Sequence, residues 1–303
     1  MPSDRRWNPG IAPAIGAYLA WGAFPLYWRL LAGVSSLEIV AHRVVWSFVF
    51  VALLVTSSRR WPALLAAVRD RRVILAMAAS TALISTNWLL FIWAVNGGHV
   101  TETSLGYYIN PLVNVVLARI LLGERLRPVQ LLAVSLAGVG VVNLAAQVGG
   151  FPWVALTLAT SFGFYGVVRK LAPVESLEAL TVETALATPI ALAYVGWLHV
   201  GGGASFGAGA ADTVFLVGAG VATALPLLWF ASAARKLRYT TMGILQYIAP
   251  TGQLACAILV FGEPFTTAHA ITFSFIWVAL ILYAVDGIRA AAASEQPGVS
   301  AGR

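Results

Sequence analysis

Residues 102–124 read ETSLGYYINPLVNVVLARILLGE, an apolar stretch with Tyr108, Asn110, Pro111 and Asn114 set into its middle and Gly123-Glu124 at its close. Residues 244–263 read ILQYIAPTGQLACAILVFGE and repeat the layout with Tyr247, Pro250, Gln253 and then Gly262-Glu263. Tyr108 to Tyr247, Pro111 to Pro250, Gly123 to Gly262 and Glu124 to Glu263 are all 139 positions apart. One motif is used twice, so the chain is read as two copies of one unit.

The repeat extends outward from that motif. Leu90-Phe91 is answered by Trp229-Phe230 at the same offset. Ser36-Leu37-Glu38 is answered by Ser176-Leu177-Glu178, and Arg29 by Arg169, each one position further apart, which a single deletion between the second and third segments reconciles.

What the units are made of follows from composition. Of 303 residues, 59% are hydrophobic and 10% charged, and mean hydropathy is +0.83; a water-soluble domain would carry roughly 25% charged residues. The chain is therefore expected to be an all-α integral membrane protein. Apolar runs of spanning length fall at 11–31, 36–55, 73–95, 101–122, 128–146, 151–170, 178–198, 212–234, 240–261 and 266–287, which makes ten transmembrane helices. None alternates as a barrel strand would. The first run follows Arg5 and Arg6 as a signal peptide would, but it is of spanning length and has a repeat counterpart, so it is read as a retained span.

Lys and Arg set the orientation. Arg5 and Arg6 precede the first span; Arg59, Arg60, Arg69, Arg71 and Arg72 lie between spans two and three; Arg119, Arg125 and Arg127 surround the turn after span four. Arg169 and Lys170 follow span six, Arg235, Lys236 and Arg238 follow span eight, and Arg289 and Arg303 follow span ten. All fall on one side, and only Arg29 and Arg43, both inside spans, escape the pattern. Both termini are expected in the cytoplasm, in the cell (inner or plasma) membrane. Five spans per unit is an odd number, so the second unit enters the membrane inverted. The divisions expected are a cytoplasmic N-terminus (1–10), a first five-helix repeat (11–146), a second, inverted one (151–287) and a cytoplasmic tail (288–303).

Inverted repeats are a feature of secondary transporters, with the solute site between the halves. The repeat sorts the polar residues. Tyr107, Asn110 and Asn114 form a stripe at helical spacing, matched by Gln246, Pro250 and Gln253. Pro111 and Pro250 each remove a backbone donor in mid-helix, which reads as a pair of broken, gating helices facing each other across a cavity; the alternative is that Asn and Gln join helices and Pro only kinks them. Arg43, deep in the second span, is a solute-binding candidate or else an anchor reaching the outer interface. His42 beside it lies one turn from Glu38 and is a weaker candidate. Glu102 is the expected counter-ion of Arg43, whereas Glu183, near Arg169, Lys170 and Arg238, reads as a structural ion-pair partner or proton site. Trp21, Trp28, Trp88, Trp93, Phe164, Tyr165 and Trp229 could form an aromatic box, and Asn87, whose repeat equivalent is Pro226, completes the set. Glu124 and Glu263 read as caps.

The same residues carry a family resemblance. Ala41-His42-Arg43-Val44, the run NWLLFIWAV at 87–95, Ser104-Leu105-Gly106-Tyr107, Ile109-Asn110-Pro111-Leu112, Gly123-Glu124-Arg125, Phe164-Tyr165-Gly166, Gln246-Tyr247-Ile248 and FIWVAL at 275–280 resemble the EamA-type family of the drug/metabolite transporter superfamily, in its RarD-like branch. The resemblance spans about residues 11–288 and implies ten helices in two inverted five-helix repeats, a central cavity lined by helices one to four and six to nine, and efflux of amino acids, metabolites or drugs.

The leading reading is a secondary transporter working by alternating access. The alternatives are a membrane-embedded enzyme, disfavoured by the lack of catalytic motifs, and a non-transporting membrane assembly partner. No cofactor or metal is expected, and no Walker sequence points to ATP. The expected partners are a small-molecule solute and the lipid bilayer, not nucleic acid, since the basic excess lies in short loops. Oligomeric state is open, a homodimer included.

Overall fold

The computed structural model describes residues 8–96, 100–146, 151–262, 265 and 267–294. Among them the chain is a bundle of twelve α-helices: α1 (Ile11–Arg29), α2 (Ser36–Ser57), α3 (Trp61–Arg69), α4 (Arg71–Asn96), α5 (Val100–Leu121), α6 (Pro128–Ala145), α7 (Trp153–Leu171), α8 (Ser176–Val200), α9 (Ala210–Lys236), α10 (Tyr239–Leu245), α11 (Ile248–Leu259) and α12 (Thr267–Ser294). Eight membrane-length apolar segments stand out among the described residues: α2, α4, α5, α6, α8, α9, the α10–α11 pair and α12. Helices α1 and α7, of 19 residues each, are richer in aromatic residues and fall outside that set. The chain is a multi-pass membrane protein.

Two departures from the sequence reading have plain causes. Helix α3 was not anticipated, because its nine residues are too short to span and sit between arginines. It is amphipathic: Leu64 and Ala67 pack against Val55, Met77 and Val182, while Trp61, Leu65 and Val68 are exposed, the form of a helix lying in the interface plane. The second departure concerns the two proline helices. Pro250 does break its helix, since it cannot donate to Gln246 four residues back and its ring crowds that carbonyl. Helix α10 accordingly stops at Leu245, and Gln246 O accepts instead from Ala249 N at 3.0 Å. Pro111, by contrast, sits inside a continuous α5. Only one of the two helices is broken.

Helix packing respects the sequence repeat. Pairing α1 with α7, α2 with α8, α4 with α9, α5 with α10–α11 and α6 with α12 maps the contacts onto themselves. Helix α5 packs on α7 as α11 packs on α1, α4 on α7 as α9 on α1, and α2 on α9 as α8 on α4; α2–α8, α5–α10 and α6–α12 are their own counterparts. Glycines permit the closest crossings. Gly22 and Gly252 meet where α1 crosses α11, with a Cβ on Gly252 falling 3.0 Å from Gly22 Cα. At Gly220 a Cβ would collide with the Trp46–Ser47 backbone of α2, and Ser47 Oγ donates to Gly220 O at 2.9 Å. Gly220→Val is therefore expected to lower the thermal stability of the purified protein by about 2 kcal/mol or more. Gly138→Val, where nothing lies within 4 Å, should leave it within about 0.5 kcal/mol.

Charged residues tie helix ends together at one end of the bundle. Arg60 pairs with Glu178 (2.7 Å), Arg235 with Glu175 (2.9 Å), Arg127 with Asp286 (2.5 Å) and Arg238 with Glu124 (3.5 Å). Lys170 Nζ donates to Ala234 O (2.9 Å) and Leu237 O (2.5 Å). Glu124, after the left-handed Gly123 (φ 64°), caps α10 by accepting from Tyr239 N at 2.6 Å and Thr240 N at 3.1 Å. Its repeat partner Glu263 lies outside the described residues. At the other end, Glu38 accepts from Ser205 N (2.7 Å) and Phe206 N (3.1 Å), and Tyr27 OH donates to Phe215 O (2.7 Å).

Candidate functional site: a central aromatic cavity

A cavity of about 340 Å³ lies between the two halves of the chain. Its walls come from α1 (Trp21, Phe24, Pro25, Trp28), α2 (Arg43), α4 (Ile84, Asn87, Trp88, Phe91), α5 (Thr103, Ser104, Gly106, Tyr107, Asn110), α7 (Leu158, Phe162), α9 (Thr223, Leu227) and the α10–α11 break (Gln246, Ala249, Pro250, Gln253). Among the described residues α3, α6, α8 and α12 contribute nothing to it, so the seventh span, α8, is missing from the lining the family resemblance implied; α6 and α12 pack on each other at the side, through Ala133, Ala137, Phe273 and Ile276. Most lining residues belong to the middle of their helices or to the part remote from the ion-paired end, Leu227 and Gln246 reaching furthest toward that end. Toward that end the space is filled by a continuous core of Ala14, Ala17, Tyr18, Ala118, Tyr165, Phe230, Tyr239 and Met242. The cavity is closed on the basic side.

Arg43 is held from three directions. Its Nε donates to Thr223 Oγ1 at 2.8 Å, and its guanidinium carbon lies 4.8 Å from the Trp28 ring centre and 4.7 Å from that of Trp88. The local sequence explains the placement. Arg43 and Ser47 are four apart on α2 and share a face, as do Gly220 and Thr223 on α9. The glycine brings the helices together and leaves the threonine under the arginine. Among the described residues Arg43 meets no carboxylate but a hydroxyl and two indoles, while Glu102, the expected counter-ion, accepts from Val154 N at 3.3 Å, at the start of α7. The carboxylate serves a helix terminus, where free N–H groups draw it.

Below Arg43 lies an amide knot. Gln246 Nε2 donates to Asn110 Oδ1; Asn114 Nδ2 donates to Gln246 Oε1 at 2.7 Å; Asn110 Nδ2 donates to Ala159 O at 2.5 Å. Tyr239 OH donates to Asn114 Oδ1 at 3.1 Å and lies 2.8 Å from Gly163 O. The two polar stripes are expected to face each other across open space; instead Asn110 and Asn114 bond Gln246 directly, with Asn110 and Gln246 forming the floor, while Tyr107, Pro250 and Gln253 line the cavity without bonding across it. Asn114, fully buried, sits beneath the floor and outside the cavity lining. Gln253 Nε2 donates to Trp21 O at 3.2 Å, a carbonyl left without its helical donor because Pro25 sits four residues on. Asn87 Nδ2 donates to Leu158 O (2.8 Å) and Ser161 Oγ (2.9 Å), tying α4 to α7.

Of the residues singled out from sequence, Trp21, Arg43, Asn87, Trp88, Tyr107, Asn110, Pro250, Gln246 and Gln253 line the cavity; His42, Asn114, Pro111, Phe164, Trp229, Glu102 and Glu183 do not. His42 is buried, its ring stacked 4.7 Å from Phe206 and its Nδ1 accepting from Trp46 Nε1 at 3.2 Å, while Glu38 bonds elsewhere. Phe164 faces outward, and Phe162, two residues earlier and four from Leu158, occupies the wall instead. Trp229 covers Gly16 of α1. Pro111 lies where α5 crosses Gly243 of α10, a Cβ there falling 2.8 Å from Pro111 O. Glu183 is 3.1 Å from Arg169 Nη1 and accepts from Ser80; it borders a small void of about 30 Å³ beyond Trp88 and Thr223. Thr223, Phe162 and Pro25 were missed. Only Pro25 carried a sequence signal, as a mid-helix proline.

This arrangement is a mostly apolar chamber, rich in aromatic rings, with one cation and a few amides among the described residues, suited to holding a small solute rather than transforming one. Among the described residues no group of His, Cys, Asp and Glu is placed to hold a metal. The model of the EamA-like transporter family matches residues 8–145. A protein of Vibrio cholerae named "Uncharacterized transporter" is 44% identical over 97% of this chain and 98% of its own length. Protein RarD of Escherichia coli is 43% identical over 94% and 96%. One solved crystal structure at 18% identity shares the fold, with a TM-score of 0.71 over 92% of this chain and 98% of its own. With relatives this similar over nearly their whole lengths, the chain belongs to the EamA-like transporter family, in the RarD-like branch of the drug/metabolite transporter superfamily, whose members are membrane transporters and not enzymes.

Proposed function

We propose that the protein exports a small solute from the cytoplasm across the cell membrane by alternating access, the central cavity being the solute site. The observation that carries this is the cavity itself, walled by both halves of the chain and sealed on one side only. The sequence repeat and the exchangeable contacts support ten spans arranged as two inverted five-helix units, 11–146 and 151–287. The gathering of basic loops at one end supports cytoplasmic termini, with residues 1–10 and 288–303 on that side. In this reading the structure is the outward-facing state. Rocking one unit against the other would open the core around Tyr18, Phe230, Tyr239 and Met242 and close the aromatic mouth.

The proposed solute-binding residues are Trp21, Arg43, Asn87, Trp88, Tyr107, Asn110, Gln246 and Gln253, with the flexible break at Pro250 as the gating element. His42, Asn114, Phe164, Trp229 and Pro111 would act at one remove, by holding helices, and Glu102 and Glu183 as fixed structural acids. One chain supplies every wall, so a homodimer is not required for transport. Nor is a nucleic-acid partner, since the basic residues gather in the short loops at one end of a membrane bundle, as the positive-inside bias produces.

Purified protein in vesicles tests this. Saturable flux of small amphiphiles is expected, and Ser104→Trp, which fills the cavity from its rim, should cut that flux by about tenfold or more while changing stability by less than about 0.5 kcal/mol. Correctly folded protein that passes none of a broad set of amphiphiles would sink the reading.

A further inference from the structure

Among the described residues the cavity lining holds one ionic side chain, Arg43, and neither Asp nor Glu. The way Arg43 is held leaves a specific part of it free. Trp28 and Trp88 lie over its guanidinium at 4.8 Å and 4.7 Å, and Nε is engaged by Thr223. Among the described residues no group accepts from Nη1 or Nη2, so the edge carrying them keeps its donors available, with Tyr107 of the lining close to the guanidinium. Two parallel N–H groups on that edge are the complement of a carboxylate, which they bind bidentately.

The surroundings point the same way. A cation inside the span without a carboxylate partner is costly, and stacking on indoles offsets part of that cost while leaving the charge in place. A solute that brings a negative charge relieves the remainder, and one that brings a positive charge adds to it. Trp21, Phe24, Phe91 and Phe162 add flat apolar surface to the wall, beside polar groups such as Tyr107, Asn87 and Gln253.

We propose that the solute class of this cavity is a small organic anion, a carboxylate attached to a flat apolar body, with the carboxylate on the free edge of Arg43 and the body against the aromatic wall. This rests on the cavity being the solute site. It excludes lipophilic cations, the class that an aromatic chamber alone would suggest.

Three probes with one ring system separate the charges: indole-3-acetate (anionic), indole-3-acetamide (neutral) and tryptamine (cationic), titrated calorimetrically into purified wild-type protein. Indole-3-acetate is expected to bind about tenfold or more tighter than the amide, as one charge-assisted bidentate pair provides, and tryptamine weakest of all. In Arg43→Gln the preference for indole-3-acetate over the amide should vanish while binding of the amide persists; Arg43→Lys, which keeps charge without the fork, should fall between. Tryptamine binding as tightly as indole-3-acetate, no binding by any of the three, or a folded Arg43→Gln protein that keeps the full preference would overturn the proposal. The wild-type series decides even where a variant fails to fold. Labelled flux separates the two readings: selective binding of indole-3-acetate without flux leaves the anion site standing and removes transport. Saturable flux of tryptamine that indole-3-acetate does not inhibit removes the anion site and leaves transport.

Discussion

Replacing Glu183 by Leu is expected to lower the unfolding free energy of the purified protein by about 3–5 kcal/mol, the cost of a buried charge left without its partner. Arg169 and Glu183 lie 3.1 Å apart with their side chains 1% and 5% exposed. Ser80 donates to the second carboxylate oxygen, and Arg169 Nη2 donates to Ser176 O at 3.2 Å. Removing the acid leaves the guanidinium enclosed among Met77, Tyr165 and the start of α8. Removing both charges together, as Arg169→Met with Glu183→Leu, should restore most of the loss, since well-packed apolar replacements of a buried pair are often neutral or better. Thermal unfolding of the two single variants and the double variant checks this. Additive losses would mean that the two groups do not depend on each other.

The second large effect belongs to the amide knot. Asn114→Leu removes a fully buried group that bonds Gln246 and Tyr239 and approaches Asn110 at 3.4 Å. Interhelical hydrogen bonds in bilayers contribute about 0.6 kcal/mol on average and up to about 1.7. Losing this set, with Gln246 Oε1 stranded, is expected to cost about 2 kcal/mol or more. Because Gln246 and Asn110 form the cavity floor, solute binding should weaken as well, although Asn114 does not line the cavity. Tyr239→Phe removes only the hydroxyl at the edge of the knot, shared between Asn114 Oδ1 and Gly163 O, and should cost about 1 kcal/mol. Melting curves and a binding titration on the same samples measure both. An Asn114→Leu protein as stable as wild type would mean that the knot does not hold α5 and α10 together.

How much of this was legible in sequence can be argued from individual residues. Length and polarity exposed nearly every membrane-length segment, because lipid allows few alternatives to a long apolar helix. The 139-residue offset identified which helices would exchange roles in the packing. What stayed hidden was rotation. Along an almost uniformly apolar helix such as α7, nothing in composition says whether Phe162 or Phe164 faces inward, whereas a soluble helix would show it by its polar face. The same blindness put Asn114 in the cavity when one more turn carries it below the floor. Partner choice was equally opaque. Arg43 is met by Thr223, 180 positions away, and no spacing rule distinguishes that hydroxyl from the carboxylate of Glu102. The prolines show how context divides identical signals: Pro250 breaks its helix at Gln246, while Pro111 is absorbed into α5. Short α3 escaped because span-length windows see only its flanking arginines.

The central claim is that one cavity is reached from one membrane face at a time. Impermeant maleimide labelling tests it, in a Cys256→Ala background. Ser104→Cys places a thiol on the cavity wall, and Met242→Cys places one in the core that closes the basic side. The Ser104→Cys thiol should react only from the face opposite the basic loops, and the Met242→Cys thiol only from the basic face. In the double variant, a maleimide already on Ser104→Cys should wedge the mouth open and slow labelling at Met242→Cys by about tenfold or more, a population shift of at least 1.4 kcal/mol. Thiols that both react from the same face, or a Met242→Cys rate indifferent to what occupies Ser104→Cys, would contradict alternating access around this cavity.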